Sequence, residues 1–221
     1  MGYLSWIADE DLRLCVDEVL KSARDNDLNS NVIDPFSATF DIMRQGIGWD
    51  EWLRQENSRQ VQKSFQNSIG YFHQHILGKV PGCEDPGRSG VYDFINHQKK
   101  IVAEIKNKYN TMNAGAARSV YQNLTGFLDE ELKGYIGYVV FIVPRHPADF
   151  VRPWTTGGLP QRDDLLQIDG ESFYRLATGD PNALKNLFEV LPLVIAEILQ
   201  VQSPAPDLLE KFSKLFKKVY K

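Results

Sequence analysis

Apolar residues recur at helical spacing twice in the first part of the chain. Leu12, Val16, Val19 and Leu20 share one face of a predicted helix over residues 9–24. Val61, Phe65, Ile69, Phe72 and Ile76 form a longer stripe, which predicts a helix from about residue 50 to 77, stopped by Gly78. Residues 25–31 between them are polar and turn-prone, and Asp34-Pro35 punctuates the segment. Pro81, Gly82, Pro86, Gly87 and Gly90 make residues 78–90 an irregular loop. The period then changes to two. A strand over residues 91–95, a turn at 96–98 and a strand over 100–106 read as a hairpin. A helix over about 114–132 and an apolar strand over 135–143 follow. The order is β-β-α-β, so the last strand is expected to return parallel through a right-handed crossover. Residues 145–162, rich in Pro and Gly, read as a long loop. Helices are expected after Gly170, over 182–199, and from Pro206 onward. The pattern predicts an α/β (α+β) fold with a small mixed sheet flanked by helices. One domain is expected to span the chain: an N-terminal helical segment 1–48, a core 49–199 and a C-terminal helix 200–221.

Composition narrows the classes. With 43% hydrophobic and 24% charged residues, the chain has the balance of an ordinary globular protein. The longest apolar run, Tyr138-Val-Val-Phe-Ile-Val-Pro144, suits a buried strand and is too short to cross a bilayer. The first residues turn acidic at Asp9, Glu10 and Asp11, unlike a secretory leader. Two cysteines, Cys15 and Cys83, predict neither a disulfide framework nor a thiolate zinc site; a reducing cytoplasm is the expected setting. The net charge of −4 gives no global attraction to nucleic acid, but phosphate contacts need only a local basic surface. Two windows are locally basic. One carries Lys99, Lys100, Lys106, Lys108 and Arg118 against Glu104 alone; the other is the last twelve residues, which read most simply as a solvated helix face.

The first basic window contains the chemistry. Side chains alternate across a strand, so Ile101, Ala103 and Ile105 share one face while Val102, Glu104 and Lys106 share the other. On the partner strand Asp93 lies on the face of Val91 and Ile95, and a hairpin can bring it across from Glu104. Two carboxylates plus the Ile105 backbone carbonyl would suffice as the protein's share of a Mg²⁺ site, which favours oxygen ligands and water. Such a site serves phosphodiester hydrolysis, with Lys106 orienting the attacking water and stabilising the charge of the transition state. An acid followed at a distance by Glu-x-Lys also arises by chance, and the competing reading is an ion pair on a half-exposed sheet. The apolar strand and the Gly/Pro-rich loop before it raise the nuclease reading until it stands level with that ion pair.

The arrangement resembles the PD-(D/E)xK nuclease superfamily, with Asp93 as first acid, Glu104 as second and Lys106 as the lysine. Arg59-Gln-Val-Gln-Lys63, Asn67-Ser-Ile-Gly-Tyr-Phe-His-Gln74, Gly90-Val-Tyr-Asp93 and Ala103-Glu-Ile-Lys-Asn-Lys-Tyr-Asn-Thr-Met-Asn113 further resemble a type II restriction endonuclease family whose members cut short palindromes of the GGNCC kind. The likeness runs from about residue 49 to 199, with residues 104–113 its most specific part; Tyr92 stands where the superfamily pattern has Pro. It implies a restriction-endonuclease-like core and Mg²⁺-dependent double-strand cleavage by a homodimer, with Mn²⁺ able to substitute. Symmetry points the same way, because a C2 dimer matches a palindrome with one active site per strand. The competing enzyme is a structure-specific repair or junction nuclease of the same superfamily; the competing binder is a non-catalytic DNA-binding module.

Other residues are weaker candidates. Glu56, Gln60, Lys63, Asn67 and Gln74 form a second stripe on the long helix, roughly opposite the apolar one. It reads either as a solvated face or as an overhang of the cleft, with Glu56 or Gln60 completing the metal shell. Lys108, Asn110 and Asn113 follow the catalytic strand and are placed to meet phosphates or base edges, although Asn there also suits a helix cap. For a GC-rich site, Arg145, Arg152 and Arg162, with Trp154 beside them, are candidate groove readers. His73, His75, His97 and His146 show no ligand spacing; His97 reads as a turn residue.

Overall fold

Residues 2–22, 33–87, 91–146 and 150–220 are described by a computed structural model. The turn-prone stretch 25–31 and Gly90 lie outside them. The chain begins with α1 (Asp9–Ser22), α2 (Pro35–Gln45) and α3 (Trp49–Gly78). The hairpin β1 (Phe94–Asn96) and β2 (Ile101–Lys108) follows, then α4 (Ala114–Asp129) and β3 (Ile136–Val143). Next come β4 (Val151–Pro153), β5 (Leu165–Asp169), α5 (Gly170–Thr178), α6 (Ala183–Leu199) and α7 (Pro206–Val219).

The sheet runs β1-β2-β3-β5-β4. β1 and β2 are antiparallel, and β3 returns parallel to β2 across α4, as the β-β-α-β order predicts. β5 continues the parallel block and β4 closes it antiparallel. Neither β4 nor β5 is legible in the alternation. β4 has three residues, all exposed at the sheet edge, and β5 is too short for a period. The N-terminus of α5 needs Gly170, because a Cβ there would stand 2.6 Å from the Ile142 carbonyl oxygen of β3. Buried Asp169 caps α5, accepting from Ser172 N–H at 2.9 Å.

Both faces of the sheet are covered. Ile101, Ala103, Ile105, Val140, Ile142 and Ile168 face a core built with α1, the end of α3, α5, α6 and α7. Val102, Val139, Phe141 and Leu165 face a second core under α4. Burial on both sides explains why β3 reads as an unbroken apolar run. The last helix is anchored rather than merely solvated: Phe216 and Tyr220 are buried, and the Tyr220 hydroxyl donates to the Ile142 carbonyl at 2.6 Å.

Two expectations change. Asp34-Pro35 is a helix start, not a punctuation mark: Asp34 accepts from Phe36 N–H and Pro35 sits in the first turn of α2. In the α3 stripe only Phe72 and Ile76 are fully buried, while Val61, Phe65 and Ile69 are half-buried. A helix of 30 residues spans roughly 45 Å, longer than the sheet beneath it can cover. Its N-terminal half therefore stands off the core with α2 as an arm.

Candidate active site

Asp93 stands one residue before β1, where the register pairing Phe94 with Ala103 carries it opposite Glu104. Its backbone N–H donates to the Ala103 carbonyl at 2.9 Å, and its Oδ2 accepts from the Ile105 N–H at 2.7 Å. The hairpin therefore fixes both backbone and carboxylate. On β2 the Lys106 ammonium donates to Glu104 Oε1 at 2.5 Å, with only 26% and 13% of the two side chains exposed. Asp93, Ile105 and Lys106 line one cleft of about 500 Å³ with Lys108, Thr111 and the α3 residues Asn67 and Gln74.

Burial first, then the charge of Glu104, pushes the Asp93 carboxyl up to about 6, against the opposing pull of the Ile105 N–H and Lys106. Two carboxylates facing each other across the hairpin supply the oxygen ligands that a hard divalent cation takes. Among the described residues no three His, Cys, Asp or Glu side chains converge as a ligand set.

The family-level comparison agrees with the geometry. The model of the Eco47II restriction endonuclease family matches residues 4–200. The chain belongs to that family. It is 40% identical over 215 residues to the type II restriction enzyme Eco47II of Escherichia coli, covering 90% of this chain and 89% of that protein. It is 28% identical over 216 residues to the type II restriction enzyme Sau96I of Staphylococcus aureus, covering 90% and 82% respectively. This Eco47II-family chain is thus a type II restriction endonuclease, a site-specific nuclease of double-stranded DNA that depends on a divalent metal.

Within this family member the residues of the second α3 stripe brought to the cleft are Asn67 and Gln74, not Glu56 or Gln60. Glu56 and Gln60 line a separate cavity of about 300 Å³ with Asp34, Trp52, Arg59 and Lys63, which shares Asn67 with the catalytic cleft among the described residues. Fourteen to eighteen helical residues separate them from Gln74 in α3, roughly 21–27 Å along the axis and too far for one metal shell. Glu56 instead binds Arg59 at 2.6 and 2.7 Å and accepts from Gln60 Nε2 at 2.7 Å; Arg59 holds its carboxyl below the usual range.

Gln74 is 6% exposed. Its Nε2 donates to Asp85 Oδ1 at 3.3 Å, an oxygen that also accepts from Gly87 N–H at 2.7 Å. Asp85 Oδ2 lies 3.5 Å from His75 Nε2, whose other nitrogen meets Glu18 at 2.9 Å. With its amide nitrogen engaged, Gln74 has its carbonyl oxygen left for the cleft. The clue in the sequence was a polar residue among Phe72, Ile76 and Leu77, where an unpaired amide is costly.

The other candidates divide. Lys108 lines the cleft; Asn110 is exposed in the turn beyond it. Asn113 caps α4, accepting from Ala116 N–H at 2.9 Å. Arg145 is exposed beyond β3, and Arg152 sits on edge strand β4, over Phe150 at 5.3 Å and against Gln167. Arg162 is bound by Asp129 and Asp164, each at 2.8 Å. Trp154 is 6% exposed and packs on Tyr121, so it belongs to the core rather than to a groove-reading surface. His73 is also core: burial lowers it to about 4, and its Nδ1 lies 2.8 Å from the Tyr174 hydroxyl. His97 is a turn residue, 2.8 Å from the Tyr135 hydroxyl.

Proposed function

We propose that this restriction endonuclease uses Mg²⁺, with Mn²⁺ able to substitute, and cuts both strands of a short GC-rich palindrome of the GGNCC kind as a homodimer. Asp93, Glu104 and the Ile105 carbonyl hold the cation. Bound there, it supplies Lewis acidity and charge neutralisation at the scissile phosphate. Lys106, held at the cleft mouth beside Glu104, positions the attacking water and stabilises the charge that grows on the phosphate oxygens. Gln74, with its amide nitrogen tied to Asp85, offers its carbonyl oxygen as an acceptor for that water or for a cation-bound water. Lys108 and Asn110 carry backbone or base contacts next to the cleft, and Arg145 and Arg152 read guanine edges from the far side of the sheet end. The homodimer supplies one such site to each strand. The setting is the bacterial cytoplasm, in keeping with two free and buried cysteines.

One observation carries the reading: the hairpin register sets Asp93 opposite Glu104, and Asp93 lines one cleft with Lys106, the ion-pair partner of Glu104. Digestion of a sequenced plasmid with and without Mg²⁺, followed by end sequencing, is expected to give discrete fragments sharing one palindrome. Intact duplex left uncut while branched DNA is cleaved would instead identify a junction nuclease.

A further inference from the structure

We propose that the exposed stripe of α2 is the surface on which two copies of this chain meet. Phe36, Phe40 and Met43, spaced four and three residues apart, lie on one face of α2 and are 76%, 77% and 76% exposed. Trp49, the first residue of α3, is 54% exposed, its ring 5.4 Å from buried Trp52, whose Nε1 donates to Asp41 of α2 at 3.3 Å. The helix has 11 residues and Ala38 as its one buried side chain. A helix this short is marginal in water unless packing holds it, and Ala38 alone offers little. The opposite face therefore needs a cover.

Area and charge name the occupant. The three aromatic side chains at these exposures present roughly 300–500 Å² before Met43 is added, about half of the ~800 Å² that each partner contributes to a standard interface. The charges within α2, Asp41 and Arg44, bind each other at 2.6 Å, and Asp41 also accepts from Trp52 Nε1 at 3.3 Å. The stripe thus offers no unpaired cation to a phosphate, which rules against DNA, and no net charge to repel its own copy. The exposed Leu208 and Leu215 of α7 differ, because Lys211, Lys214, Lys217 and Lys218 outnumber Asp207 and Glu210 on that helix. Two copies of α7 would repel; two copies of α2 pack as facing apolar ridges. The arm is also continuous with catalysis: α3 lines the cavity under α2 and the catalytic cleft, joined at Asn67. The proposal rests on the reading that duplex cleavage needs two active sites.

Sedimentation equilibrium of the full chain tests it, with wild type, Phe40→Asp, Met43→Lys and the conservative Phe40→Leu, and with Asp93→Ala in parallel. Wild type, Phe40→Leu and Asp93→Ala are expected to be dimers. Phe40→Asp and Met43→Lys are expected to weaken dimerisation about a hundredfold, as loss of a hot-spot contact does, with unchanged far-ultraviolet circular dichroism. On supercoiled plasmid the two interface variants lose the linear product. Asp93→Ala cuts nothing while staying dimeric, so failure of the nuclease reading shows separately. Hydrogen exchange on wild type gives a second readout: α2 amides should gain protection with concentration. A wild type that stays monomeric with and without DNA overturns the proposal, as does a dimer that survives Phe40→Asp or α2 protection independent of concentration.

Discussion

At the scale of single residues, Asp93 sets the most direct test. Its carboxyl is pushed up to about 6, above the ordinary unfolded value near 3.9. The folded state therefore holds this proton more tightly than the unfolded one. The native state keeps its full relative stability below pH ~4 and loses it as pH rises through about 6. Asp93→Asn removes that loss. In chelator, urea unfolding should show the variant more stable at pH 8 by about 2 kcal/mol and no different near pH 3, while cleavage is abolished. A variant no more stable at pH 8 would mean that the carboxylate is not strained. Cation binding must also displace the proton, so calorimetric Mn²⁺ affinity in wild type should fall about tenfold per unit below pH 6. Lys106→Ala should end cleavage yet leave metal-free DNA binding and folding near wild type; retained cutting would remove the lysine from the site. Gln74→Leu tests the helix contribution. It leaves Asp85 without its amide donor and should lower kcat by about tenfold to a hundredfold in single-turnover cleavage.

At the scale of elements, one close approach holds a wall of the cleft. A Cβ on Gly78 would stand 2.5 Å from Asp85 Cβ and 2.9 Å from its backbone nitrogen, so the 78–87 loop closes directly onto the end of α3. Gly78→Ala must push that loop away; about 1–3 kcal/mol of stability should be lost in thermal unfolding, with reduced activity because Asp85 no longer holds Gln74. The hairpin was legible because a period of two and one short turn suffice to write it. Its register was decided by the fold: the turn lies at 97–100 rather than 96–98, β1 is Phe94–Asn96, and Ile95 pairs with Val102. α2 was not legible, because Asp-Pro opens turns and helices alike and the segment has no buried stripe to give it a period. β4 and β5 failed for a related reason: no tight turn marks them, and β5 pairs with β3 and β4 with β5 across long connections.

At the scale of the whole molecule, the sheet joins segments far apart in sequence, and the C-terminal helix locks onto it. Tyr220→Phe deletes the hydrogen bond to Ile142 and should cost about 1 kcal/mol in denaturant unfolding. An unchanged midpoint would show α7 to be an appendage. The sequence alone determined the elements with a strong period, the acid-acid-lysine set and the family, because strand alternation and a local run of residues encode them. Only the tertiary structure decided which part of α3 reaches the cleft. Helical phase puts Glu56, Gln60 and Gln74 on one stripe, but phase says nothing about height along the axis. Packing against the sheet and the Asp85 loop fixed that height, and so chose Gln74. It also left α2 and the start of α3 beyond the core, with an apolar face exposed among the described residues.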